Sequence, residues 1–118
     1  MHEFLDRYRA FAATFEGAHE DFPWGHETPV FKNAKEKIFA MTGVGDDGLL
    51  RVTVKLSPED GSAALGLPFV SKAAYVGRFG WVNAVVSDEA TWDAVCDWTA
   101  QSYRLVTPKP RKKSVKPG

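Results

Sequence analysis

The sequence predicts an α+β fold: a two-layer sandwich in which an antiparallel sheet carries helices packed on one face. Three observations lead there. Leu50, Val52, Val54 and Leu56 alternate with Arg51, Thr53 and Lys55, the pattern of a strand with one buried and one wet face. Phe4, Tyr8, Phe11 and Phe15 recur at the spacing of a helix that lays an aromatic stripe on something apolar. The elements then run helix, several strands, short helix, strand, helix, an order that packs most economically as two layers.

The first helix is expected over 3–16, with Glu3, Asp6, Arg7, Arg9 and Glu16 mostly off the aromatic stripe and Gly17 as its C-cap. Pro23 and Pro29 then argue against helix and permit turn or edge-strand geometry. "TPVFKN" and "EKIFAM" read as short strands joined through "NAKE". "TGVGDDG" reads as a turn, and "LLRVTVKLS" as the strongest strand of the chain. Ser57 as N-cap, Pro58 in the first turn, and Glu59 and Asp60 behind them start a short helix reaching Leu65. "GLPFVSKAAYVGRFG" looks like loop, "WVNAVVS" like a second good strand. Ser87-Asp88-Glu89 opens the last helix, whose apolar set is Trp92, Val95, Cys96, Thr99 and Tyr103, widened by Trp98.

One domain is expected over 1–107 and a basic, disordered tail over 108–118. A chain of 118 residues with 44% hydrophobic and 25% charged content has the composition of a folded globule. No apolar run approaches the roughly 18 residues of a membrane-spanning helix, and "MHEFLDRYRAF" lacks the apolar core of a secretory signal. A cytoplasmic protein without membrane association is expected. The single cysteine, Cys96, excludes an internal disulfide and a cysteine cage for zinc.

The net charge is zero but unevenly placed. All fifteen acids precede residue 108, against ten basic residues there, so the body carries −5 and the tail +5 through Lys109, Arg111, Lys112, Lys113 and Lys116. A net-acidic body is not the usual footprint of a DNA-binding domain.

No catalytic or cofactor signature is present, and neither an enzymatic activity nor a cofactor is expected. His19 and His26 with Glu20, Asp21 and Glu27 could in principle gather a metal, but they match no ligand spacing and read better as solvated loop residues. Cys96 sits mid-helix between acids, which disfavours a thiolate and points to a structural, buried thiol. "TGVGDDG" joins two strands, whereas a phosphate cradle needs a strand-to-helix turn. Trp92 and Trp98 read as core. Trp24 and Trp81 could stack on bases, with Arg78 and Phe79 adjoining Trp81, although packing at a sheet edge is the simpler role. Arg51 and Lys55 share one strand face, and Lys32, Lys35 and Lys37 lie on the neighbouring hairpin. Convergence of these five would make a phosphate-binding surface; the plainer outcome is a mixed-charge face diluted by Glu36 and other acids.

The ordered series "DFPWG", "PVFKNAKEKIFAM", "LRVTVKLSPED", "GWVNAVV" and "SYRLVTPKPRKK" resembles the MmcQ/YjbR-like proteins from about residue 4 to 113. The resemblance rests most on Lys37, Phe39 and Ala40, on Lys55 to Glu59, on Trp81, and on the Ser102-Tyr103 pair. Glu36 stands where glycine is commoner in that family. The resemblance implies a frataxin-like CyaY fold with a double-wing arrangement, and a DNA-binding role. The frataxin comparison would add iron binding by an acidic first helix, but Glu3, Asp6 and Glu16 are interleaved here with Arg7 and Arg9, and that function is not expected.

The expectation is therefore a small non-enzymatic protein that binds DNA or another polyanion non-specifically. Its contacts would come from Lys35, Lys37, Arg51, Lys55 and Arg78 and from Lys109, Arg111, Lys112 and Lys113 of the tail. The alternative is a ligand- or protein-binding module with an aromatic groove around Trp24, Phe79 and Trp81.

Overall fold

The computed structural model describes residues 3–22, 28–73 and 80–107. The elements are α1 (Glu3–Ala12), β1 (His19–Asp21), β2 (Val30–Lys32), β3 (Ile38–Val44), β4 (Leu50–Lys55), α2 (Pro58–Leu65), β5 (Val70–Lys72), β6 (Trp81–Val86) and α3 (Glu89–Val106). The strands form one six-stranded sheet in the order β1-β2-β3-β4-β6-β5, and every neighbouring pair is antiparallel. β6 enters between β4 and β5, which α2 connects. The α+β two-layer architecture is the expected one.

β4 and β6 form the centre. Leu50, Val52 and Val54 of β4 and Val82, Ala84 and Val86 of β6 are buried, while the residues between them are half-exposed. Their register pairs Val52 with Ala84 and Thr53 with Asn83, so each strand's apolar set falls on one side of the sheet. The helices cover that side: α3 crosses β3, β4 and β6, and α2 sits on β5 and β6. α1 packs on α3, with Tyr8 fully buried among Phe11, Phe31 and Trp92. The Thr99 hydroxyl donates to the Val95 carbonyl at 2.7 Å, so the Tyr8 hydroxyl is the donor in its 2.8 Å bond to Thr99. That pairing satisfies a phenol sealed from water.

Three elements depart from the sequence expectation. α1 ends at Ala12, and turns over 13–17 keep Phe15 against Phe39 and Tyr103. Gly17, at φ +75°, reverses the chain closely enough that a side chain there would meet Ala34 at 2.8 Å. His19, Glu20 and Asp21, expected in a loop, form edge strand β1, its register with β2 supplied by the partner strand. β5 lies inside the stretch that looked like loop. The buried set of α3 is Thr91, Val95, Thr99 and Ser102. Trp92, Trp98 and Tyr103 pack half-buried against the core, and Cys96 is half-buried rather than buried. The expected tail, 108–118, lies outside the described residues.

Candidate functional site

The residues carrying the family resemblance meet at one end of the sheet, and several of them, Lys37, Phe39, Lys55 and Ser57, are held through the backbone. Ser102 on α3 donates its hydroxyl to the Phe39 carbonyl at 2.7 Å and accepts the Lys55 amide at 2.9 Å. It bridges β3 and β4 where the direct ladder ends. Gln101, one residue earlier, accepts the Ser57 amide at 2.8 Å and donates to Asp60 at 2.7 Å. The strand-to-helix junction from Lys55 to Asp60 is thus fastened to α3. Ser57 caps α2 by accepting the Asp60 amide.

A second fastening lies beside it. Asn33 is buried and closes the β2–β3 turn, accepting the amides of Lys35 at 2.9 Å and Lys37 at 3.0 Å. Its amide group also donates to the Val106 carbonyl at 3.2 Å and to the Thr107 hydroxyl at 2.9 Å. One side chain therefore joins the hairpin turn to the C-terminal end of α3. Sequence reasoning named neither Asn33 nor Gln101 and gave Ser102 no role of its own. The detectable signal for Ser102 was its phase, since it continues the spacing of Thr91, Val95 and Thr99 on the buried face.

The strand cations do not converge. Arg51 lies toward the β3–β4 turn, where Asp47 holds its guanidinium at 2.8 and 3.0 Å. Four residues along β4, about 13 Å away at the usual strand rise, Lys55 stands opposite Trp81. Lys32 is engaged by Asp21 at 2.6 Å and faces Glu36 at 3.8 Å. Lys35 and Lys37 are exposed in the β2–β3 turn, on the same end of the sheet as Lys55. Glu36, between them, has φ +65° and lies 3.1 Å from the His19 ring. Arg78, Trp24, Phe79, His26, Glu27 and the tail cations lie outside the described residues.

Beside Lys55 a groove of about 630 Å³ opens between α2, the end of α3 and the β5–β6 edge. Trp81, Leu65, Leu105 and Pro58 line it with Lys55 and Lys72. Trp81 is half-buried there. Of the aromatic trio expected to form a groove, it is the member within the described residues.

The titrating groups follow from these contacts. The Arg51 guanidinium, then the Leu49 amide, pull the Asp47 carboxyl down to about 2. Asp21 is lowered by Lys32, Glu89 by Arg7, and Asp88 by the Thr91 amide it caps. Burial first, then Asp93 and Asp97, push the Cys96 thiol up to about 11, far from an activated nucleophile. Among the described residues no three His, Cys, Asp or Glu side chains gather as metal ligands, and no helix is long and apolar enough to cross a membrane. Arg7 and Arg9, interleaved with the acids of α1, are engaged by Glu89 and Glu20.

The fold recurs in solved structures. The Deinococcus radiodurans protein DR2400, with a DUF419 domain, superposes with a TM-score of 0.77 at 25% identity, over 89% of this chain and 79% of that one. A Pseudomonas syringae protein superposes with a TM-score of 0.68 at 16% identity, over 85% of this chain and 96% of its own, a likeness of fold. No curated protein is significantly similar to the chain. The YjbR family model matches residues 13–105, which span the sheet, the Ser102 and Gln101 fastening and nearly all of α3; the chain belongs to the YjbR family.

Proposed function

We propose that the protein binds nucleic acid non-specifically at the end of the sheet where the β2–β3 turn meets the end of α3. The observation that carries this is the Asn33 bridge. It holds the turn bearing Lys35 and Lys37 against Thr107, the residue from which the basic segment continues. Lys109 is two residues further on, within about 7 Å by chain length alone. Lys35 and Lys37 thus stand beside the residue after which Lys109, Arg111, Lys112, Lys113 and Lys116 follow in the sequence, on a domain otherwise net acidic. Such a set neutralises phosphates without reading bases, and its affinity derives from released counterions. Arg51, clamped by Asp47, and Lys55, at the groove, stand apart from this set.

The test is fluorescence anisotropy with a short duplex and a single strand of the same length, from low to physiological salt. The expected result is binding that weakens steeply with salt. Deleting residues 108–118 should flatten the logarithmic salt slope by about 4, and Lys35→Ala with Lys37→Ala by about 2. No binding to either oligonucleotide at low salt would sink the proposal.

A further inference from the structure

The sheet has a second face, turned away from the helices, and its charge differs from that of the rest of the body. All fifteen acids lie before residue 108, yet β3, β4, β5 and β6 contain none of them. The register sorts the side chains of these strands between the two faces. Val82 and its partner Lys72 fall on the helix side, while Lys55 and Trp81 stand opposite each other on the far side. The Leu56 amide donates to the Gly80 carbonyl at 2.9 Å. That makes Lys55 and Trp81 the close, non-hydrogen-bonded kind of pair, with Cα atoms about 4.5 Å apart. Trp81 is half-buried, but it is not one of the rings packed against the core. Among the described residues it stacks on no other ring, and Lys55 is in no ion pair. The next row of this face holds Met41, Thr53 and Asn83, about 7 Å along the strands. The Thr53 hydroxyl donates to the Asn83 side-chain oxygen at 3.3 Å, and the Asn83 amide nitrogen has no partner among the described residues. These residues border a recess of about 330 Å³. Gly43 keeps it open, because the space where its side chain would stand is empty.

A ring and a cation side by side, a polar recess one row away and no acid on the four strands suit an unstacked nucleotide chain. We propose, building on the nucleic-acid binding proposed above, that this face takes single strands in preference to duplex. One base stacks on Trp81 with a phosphate on Lys55. Its neighbour enters the recess over Gly43, where Thr53 and Asn83 meet its polar edge. A duplex hides its base faces in its own stack, so a sheet that offers an aromatic ring gains from single-stranded bases alone. Lys55 lies at the end of the sheet that carries Lys35 and Lys37, so a strand held at the β2–β3 turn can continue onto this face. Arg51 adds little, because Asp47 already holds its guanidinium.

Three labelled probes of equal length test this by anisotropy at one salt concentration: an oligothymidylate, a duplex, and an abasic strand that keeps the phosphates without the bases. The oligothymidylate should bind about tenfold more tightly than either of the others. Trp81→Ala should weaken it at least fivefold, in line with the loss of one stacked base, and leave the duplex and the abasic strand unchanged. Trp81→Phe should restore most of the loss. Lys55→Gln should lower the logarithmic salt slope for the single strand by about 0.7. Circular dichroism establishes that each variant is folded, and the abasic comparison needs no variant at all. Absence of binding to every probe would overturn both this assignment and the polyanion surface. Equal affinity for the oligothymidylate and the abasic strand, or for the oligothymidylate and the duplex, would leave the polyanion surface standing and overturn stacking on this face. So would a folded Trp81→Ala protein with undiminished affinity for the oligothymidylate.

Discussion

Glu36 shows how one backbone angle reshapes the meaning of a side chain. On sequence grounds it is an acid placed inconveniently between Lys35 and Lys37. In the fold it is the one non-glycine residue with positive φ among the described residues, at +65°. That conformation costs an L-residue about 1–2 kcal/mol, a cost that glycine avoids. The exposed contacts of Glu36 with His19 and Lys32 return only a few tenths of a kcal/mol to about 1 kcal/mol. Glycine also adds about 0.4–1 kcal/mol of chain entropy to the unfolded state, so Glu36→Gly should raise stability only slightly, by a few tenths of a kcal/mol in urea unfolding. It should also tighten duplex binding, since it removes a negative charge from the proposed phosphate surface. A variant that is less stable than the parent would show that the His19 and Lys32 contacts and the added chain entropy together outweigh the strain.

Between elements, the informative contacts are polar. Ser102→Ala leaves the Phe39 carbonyl and the Lys55 amide without their bridging hydroxyl. Ser102 itself is fully buried, and two orphaned backbone groups in such a place should cost about 2–3 kcal/mol. Urea unfolding measures the loss, and a cost below about 0.5 kcal/mol would mean that water replaces the hydroxyl. The same junction explains what the sequence could and could not reveal. β4 and β6 were legible because half-buried strands alternate. β1 and β5 were not: each has three residues, and "HED" has no apolar member, so only pairing with a neighbour makes it a strand. The end of α1 was misread because Phe15 keeps the helical phase through turns that are not helix. The groove was half legible. Trp81 was singled out, but Lys72 joins it only through the pairing of β5 with β6, and Leu105 only through the path of α3.

Over the whole molecule, acid is the condition that should undo the fold. Asp21, Asp47, Asp88 and Glu89 all have carboxyls held below their ordinary range by cations or by amides they cap. A carboxylate depressed in the folded state releases its proton more readily there than in the unfolded chain. Its contribution is complete above the unfolded value, near 4, and is lost as pH falls through the folded one, about 2 for Asp47. The urea midpoint should therefore be level from neutral pH to about 5 and fall steeply between about 4 and 2. Asp47→Asn should remove the lowest part of that fall. A midpoint that drops already between pH 7 and 5 would point to a different titrating group. The uneven charge acts at this scale too. A body of −5 does not draw polyanions to itself, so in the proposed mode the segment after Thr107 makes first contact and the β2–β3 turn follows.

The Asn33 bridge also has a mechanical side. A helix pulled from its C-terminal end ordinarily unwinds one turn at a time. Here the last carbonyl of α3 and the Thr107 hydroxyl are both held by a buried amide on the sheet. Tension arriving through residue 108 would pass into the β2–β3 turn before it could unzip α3. A partner seized by the following segment would thus tug directly on the hairpin that carries Lys35 and Lys37.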